Sequence, residues 1–210
     1  MIDRITQSIR DKKIAIIGAG GLGGNIINYV ARLNPQEIHI FDGDVFCKSN
    51  LNRQLFCTNK TIGLNKAICA HDAIIDYTLA KVIAYPHHLI KSNSYMLDGI
   101  DVIMDATDNL AVRYLLQSIS DEYKIPVIHG AINGLYGQVA IMQPDSQLLS
   151  KLNATKKTLP TGATLSYVPA LIASVQVSEM AKLLAGISTL ESDQFIIIDL
   201  LTNDTRIIKL

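Results

Sequence analysis

Short apolar runs alternate with longer amphipathic stretches along the first two thirds of the chain. The run Ile14-Ala15-Ile16-Ile17 ends abruptly in glycines, and an apolar, helix-compatible segment follows over 25–33. This is the pattern of strand, tight turn and helix. Residues 5–10 predict a short leading helix, and 37–41 (Glu-Ile-His-Ile-Phe) a second strand. A long polar connection runs from Asp42 to Gly63. After it the pattern predicts a helix over 66–77, a strand over 81–85, a helical turn at 92–97 and a strand over 100–104. A helix over 110–123 and a strand over 126–130 follow. Such alternation argues for a parallel sheet with right-handed crossovers. The pattern then changes. Residues 137–143 read as a strand, and 146–162, with Lys156-Lys157, as a polar, mobile loop. A helix is predicted over 169–185, with Pro169 near its start and Gly186 past its end. Residues 195–200 and 205–210 flank Thr202-Asn203-Asp204 as a hairpin. The expectation is one α/β domain over 1–210: a Rossmann-like, largely parallel sheet with helices on both faces and a C-terminal antiparallel hairpin.

Composition narrows the function classes. With 49% hydrophobic residues the chain can bury a sizeable core. A formal net charge of zero gives no broad basic field for nucleic acid. No uninterrupted apolar segment is long enough to span a bilayer, and Met1-Ile2-Asp3-Arg4 lacks the apolar core of a signal peptide. The cysteines, Cys47, Cys57 and Cys69, form no C-x-x-C pair. That usage suits a reducing cytoplasm and supplies no zinc framework. The expected setting is therefore cytoplasmic, without membrane, nucleic acid or zinc.

The candidate chemistry gathers at the ends of the parallel strands. Gly18, Gly20 and Gly23 fit G-x-G-x-x-G, with roles in the tight turn, the approach of a phosphate and close helix packing. The amides at the helix start then favour an anion. Asp42, nineteen positions past Gly23, stands where an acid can take a ribose, or where an Asp caps a loop. Arg53, Lys66 and Asp108 fall in loops or helix starts on the same rim. Two cations there can bind a polyphosphate, Arg53 gripping two oxygens at once. Lys66 occupies a first helical turn, where the dipole opposes a cation unless an anion is near; alternatively it is a solvated surface lysine. Asp108 could hold Mg²⁺, or Asp108 or Thr107 could cap the helix that follows. Tyr77-x-x-x-Lys81 lies too close to the glycines to be a dehydrogenase motif. His87-His88 lacks zinc spacing and reads as solvated loop, and Cys57 reads as an inert thiol.

Taken as an ordered set, several pieces become familiar. They are Gly18-Ala-Gly-Gly-Leu-Gly23, Phe41-Asp-Gly-Asp44, Ser49-Asn-Leu-Asn-Arg-Gln54, Gly63-Leu-Asn-Lys-Ala67, Asp105-Ala-Thr-Asp-Asn109 and the segment Pro169 to Glu179. The chain resembles the ThiF/MoeB/HesA family, bacterial relatives of ubiquitin-activating enzymes, as a compact variant of ThiF type. The resemblance implies an ATP-dependent adenylyltransferase acting on the C-terminal carboxylate of a small ubiquitin-like sulfur carrier ending in Gly-Gly. The carrier serving thiamine synthesis is the first expectation, with a molybdopterin or cysteine-synthesis carrier as alternatives. By the same resemblance Gly18, Gly20 and Gly21 line ATP and Asp42 takes the ribose. Asn50, Arg53 and Lys66 contact the phosphates and Asp108 binds Mg²⁺; Arg53, Lys66 and Asp108 are the expected catalytic set. A homodimer is implied. The chain departs from many relatives in lacking paired C-x-x-C zinc motifs and any cysteine in 151–168 for covalent transfer. Two other classes also use the glycines: an NAD-dependent oxidoreductase, which leaves Arg53, Lys66 and Asp108 without work, and a non-catalytic carrier-binding subunit.

Overall fold

The computed structural model describes residues 1–154, 164–187 and 190–210. In chain order the elements are α1 (Ile2–Ile9), β1 (Lys13–Ile17), α2 (Gly21–Leu33), β2 (Glu37–Phe41), α3 (Lys66–Ile74), β3 (Lys81–Tyr85) and β4 (Val102–Asp105). Then come α4 (Leu110–Tyr123), β5 (Val127–Asn133), β6 (Tyr136–Met142), α5 (Leu148–Ala154), α6 (Tyr167–Leu184), β7 (Gln194–Asp199) and β8 (Asp204–Lys209). They build one sheet in the order β3-β2-β1-β4-β5-β6-β7-β8. The joins from β3 to β5 are parallel. Those from β5 to β8 are antiparallel. The expected fold class is what the structure shows, with antiparallel pairing that begins at β5–β6, two joins before the C-terminal hairpin of β7 and β8.

Strands with both faces covered read as continuous apolar runs, and β1 is the case in point. Ile14 and Ile16 join Ile26, Ile27 and Val30 of α2 and Ile172 and Met180 of α6 in one core. Ala15 and Ile17 join Leu116 and Ile119 of α4 and Leu148 and Leu149 of α5 on the opposite face. Between β1 and β4 the strand order reverses, so chain leaves neighbouring strands toward opposite faces and a crevice opens at their carboxyl ends. Among the described residues no helix is long and apolar enough to cross a membrane.

Several boundaries differ from those the sequence predicts. α2 starts at Gly21 rather than Asn25, and Gly23 and Gly24 lie inside it. A methyl group at Gly23 would sit 1.8 Å from the Gly18 carbonyl oxygen, so the helix can rise this close to the turn only on glycine. α3 ends at Ile74, short of Tyr77. The loop expected over 146–162 contains α5, because Leu148 and Leu149 are buried and the Ser146 hydroxyl accepts the Leu148 N–H. The rest of that stretch, with Lys156-Lys157, lies outside the described residues.

Candidate nucleotide site

The glycine turn is held from below. Gly18 has φ of 98° and donates its N–H to the Phe41 carbonyl at 2.8 Å. Asp42, at the tip of β2, is buried and spans the turn and its own loop. One carboxylate oxygen accepts the Ala19 N–H at 2.7 Å and the other the Asp44 N–H at 2.8 Å. The loop-capping reading of Asp42 is therefore realised. Each of its oxygens keeps a second lone pair, and the residue lines the crevice.

The polar connection after Asp42 is tightly built. Phe46, 1% exposed, anchors it in a small core with Cys57 and Cys69. Asn50 is also buried, and its side-chain oxygen accepts the Cys47 N–H at 3.0 Å while its carbonyl accepts the N–H groups of Arg53 and Gln54. Asn50 is not among the residues lining the crevice; it brackets the loop that delivers Arg53 there. The Arg53 guanidinium donates to the Ser49 carbonyl and the Asn52 side chain, both at 2.9 Å, and faces the cavity. Lys66 opens α3 behind its cap Asn65, whose side chain accepts the Ile68 N–H. The surface-lysine reading fails: Lys66 is only 8% exposed, and its ammonium lies 3.1 Å from the Asp44 carboxylate. That carboxylate is the anion a cation in a first helical turn requires.

Asp108 stands on the loop between β4 and α4. Three residues able to cap a helix occur in succession there, and the structure assigns the cap to Asn109, whose side chain accepts the Ala111 N–H at 2.8 Å. Thr107 is committed elsewhere, to Asp105. Asp108 is left exposed on the crevice, and no described residue bonds or pairs with its carboxylate.

These side chains share one cavity of about 670 Å³, within the range of small-molecule sites. Gly18, Gly20 and Gly21 form its floor, with Asp42, Arg53, Lys66 and Asp108 around it. Sequence reasoning missed several members. Asp44 pairs with Lys66 and lies 3.6 Å from His88, which is exposed on its loop as expected and also lines the cavity. Gln54 lines the cavity over Gly20 with its amide nitrogen toward the glycine, while its side-chain oxygen is buried without a hydrogen-bond partner. Arg113 reaches the cavity from α4. Beneath it Asp105 and His129, both wholly buried, bond at 2.7 Å. Burial alone would push the Asp105 carboxyl up; the bond and charge of His129, with Arg113 and the Thr107 N–H, hold it below its ordinary value. The spacing of Asp105 and His129 along the chain gives no hint of this pair; only the β4–β5 register, which sets them side by side, makes it.

None of the cysteines lines the cavity. Burial pushes the thiols of Cys57 and Cys69 up, in keeping with inert packed groups. Cys47 is exposed, and the Ser49 hydroxyl on its sulfur holds its thiol below the ordinary value.

The donor set suits a magnesium nucleotide. Arg53, Lys66 and Arg113 offer positive charge for phosphates, and the helix start of α2 offers amides. Among the described residues no three His, Cys, Asp or Glu side chains converge as metal ligands. A cation held by Asp108 would therefore share phosphate oxygens and water, as Mg²⁺ commonly does.

Fold and site together define a doubly wound α/β domain with a cationic crevice at its switch point. A family model described as the ThiF family matches residues 2–210, and the chain belongs to that family. It is 33% identical over 183 residues to the SAMP-activating enzyme E1 of Haloferax volcanii, covering 82% of this chain and 67% of that protein. It is 28% identical over 219 residues to the molybdopterin-synthase adenylyltransferase of Escherichia coli, covering 97% of this chain and 85% of that protein. Over 97% of its length it is also 28% identical to the adenylyltransferase and sulfurtransferase MOCS3-1 of Zea mays, but spans only 46% of it. Among solved structures, PaaA superposes with a TM-score of 0.82 at 20% identity, over 99% of this chain and 66% of that one. Escherichia coli MccB superposes with a TM-score of 0.81 at 15% identity, over 99% and 64%. Both share the fold.

Proposed function

We propose that this chain is an ATP-dependent adenylyltransferase that joins AMP to the C-terminal carboxylate of a small ubiquitin-like sulfur carrier ending in Gly-Gly. The observation that carries this reading is the state of Asp108. Asn109 takes the helix cap, and a carboxylate is left facing Arg53 and Lys66 across one crevice. The names of the relatives, a molybdopterin-synthase adenylyltransferase and a SAMP-activating enzyme among them, support the same chemistry.

The reaction asks little of a general base, because a carboxylate is already ionised at neutral pH. Its oxygen attacks the α-phosphorus of ATP, the bond to the bridging oxygen breaks, and pyrophosphate leaves. The glycine turn receives the nucleotide and Asp42 accepts ribose hydroxyls on its remaining lone pairs. Arg53 and Lys66 face the phosphates and offset the charge that builds on the leaving group. Mg²⁺, held by Asp108 and phosphate oxygens, would supply Lewis-acid polarisation of the triphosphate. The chain aligns the two reactants and keeps the charges fixed, which is where such a site gains its rate.

The carrier of thiamine type remains the finer expectation and rests on the sequence resemblance; a homodimer working in the cytoplasm completes the reading. The test is carrier-dependent exchange of labelled pyrophosphate into ATP, run with purified thiamine-type and molybdopterin-type carriers. Exchange should appear with one intact carrier and vanish when its terminal Gly-Gly is removed. Arg53→Ala and Lys66→Ala should each lower it on the order of 10²-fold. Exchange that persists without the Gly-Gly end would refute the proposal.

A further inference from the structure

The buried pair beneath the crevice is built from both sides. One oxygen of Asp105 meets His129 Nδ1 at 2.7 Å, and the same oxygen lies 3.8 Å from Arg113 Nε. The other oxygen accepts both the Thr107 N–H at 3.0 Å and the Thr107 hydroxyl at 2.7 Å. The carboxylate thus ties β5 on one flank to the Asp108 loop on the other. Arg113 closes the circuit by donating to the Thr107 carbonyl at 2.6 Å. Gln176 of α6 clamps the strand ends by donating to the Asp105 and Ile128 carbonyls, both at 3.0 Å. A methyl group at Gly130 would lie 2.2 Å from the Gln176 side chain, so the clamp is in close contact.

The hydrogen positions follow from the partners. His129 Nε2 lies 3.2 Å from Gln138 Nε2. Nδ1 faces an oxygen of the Asp105 carboxylate, which only accepts, so Nδ1 carries a proton and donates it to Asp105. The chain runs from Gln138 through His129 to Asp105, with Thr107 donating from the far side. A buried polar network of this kind adds little net stability over apolar packing of equal volume. What it fixes is geometry, here the height of Thr107 and hence of the next residue, Asp108. The loop also passes close to the glycine turn, where a methyl group at Gly18 would stand 2.9 Å from the Ala106 carbonyl oxygen.

We propose that His129 is a positioning residue for the metal-bound nucleotide, acting through Asp105 and Thr107 to hold the Asp108 carboxylate where the cation is shared with phosphate. The inference rests on the adenylyltransferase reading of Asp108. Second-tier partners of metal-binding groups commonly matter 10- to 100-fold in affinity for the metal.

The test is calorimetric titration of the full chain with ATP, once in excess MgCl₂ and once in EDTA. His129→Ala should weaken binding about tenfold or more with Mg²⁺ and leave the EDTA value at wild type. His129→Asn, whose side-chain amide can donate where Nδ1–H does, should recover most of the loss. Thr107→Val should show the same split, and the double variant His129→Ala/Thr107→Val should be no worse than the poorer single. Where His129→Ala does not fold by circular dichroism, Thr107→Val and its rescue by Thr107→Ser carry the test. Equal losses with and without Mg²⁺, an unchanged affinity in a folded His129→Ala protein, or additive losses in the double variant would overturn the inference. A wild-type chain that binds ATP in neither buffer overturns the adenylyltransferase reading first.

Discussion

Asn109 and Asp108 are neighbours of nearly the same size with opposite duties, and single substitutions separate them. Asn109→Ala removes a helix cap and should cost about 1 kcal/mol of stability, read as a lower urea midpoint, while exchange activity persists. Asp108→Ala should leave the midpoint unchanged and abolish exchange. Local sequence could not make this assignment, because Thr107, Asp108 and Asn109 are all capping types; the buried carboxylate of Asp105 decides it by engaging Thr107. Asp105 itself carries a pH signature. Its folded value lies below the ordinary 3.8. Its contribution to stability is therefore complete above that value and is lost as pH falls through the lower, folded one. Asp105→Asn should lower the urea midpoint at neutral pH and flatten its acid decline below about pH 4. An unaltered acid limb would show that other carboxylates govern it. Asp44 and His88 were illegible for a related reason. Asp44 meets Lys66 from the other end of one long connection and His88 from the loop after β3, which no spacing along the chain records.

The glycine turn and the helix it launches show which part of a motif serves the fold and which the ligand. A methyl group at Gly23 meets backbone at 1.8 Å, whereas one at Gly20 meets only the end of the Gln54 side chain, at 3.6 Å. Gly23→Ala should fail to give a natively packed protein, seen as loss of a cooperative melt. Gly20→Ala should melt normally and lose ATP affinity, because it intrudes on the floor of the crevice. The strands themselves were legible as apolar runs with both faces covered, and β2, β3 and α4 fall where the hydrophobic pattern puts them. The start of α2 was not, since glycine is a poor helix former and only tertiary closeness explains its place there. α5 was hidden too, as its two buried leucines are a short signal in a polar stretch. Asn50, assigned to phosphate by resemblance, also brackets the loop that presents Arg53 through its side-chain oxygen, a contact that depends on which way the side chain turns.

At the scale of the whole molecule the sheet has two characters. Its β5–β8 half pairs successive strands, so its ladders close as the chain is made. In the other half β1–β2, β2–β3 and β4–β5 also join successive strands, and the exception is β1 against β4. β1 has β2 on one flank, but its second neighbour is β4, and the bond from the Lys13 N–H to the Asp101 side chain joins residues 88 apart in sequence. On a ribosome, β1 must therefore wait with the backbone N–H and C=O groups of one edge unpaired while the intervening polypeptide is synthesised. Long-range parallel pairing of this sort is slow and leaves strand edges open to other chains. The protein should accordingly depend on holding factors during birth more than after it. A nascent chain stalled with β4 still in the exit tunnel should bind chaperone or self-associate in a pulldown, and one stalled after β5 has emerged should do so far less. The reversal of strand order that opens the crevice is, in the kinetics of synthesis, also the interval of greatest exposure.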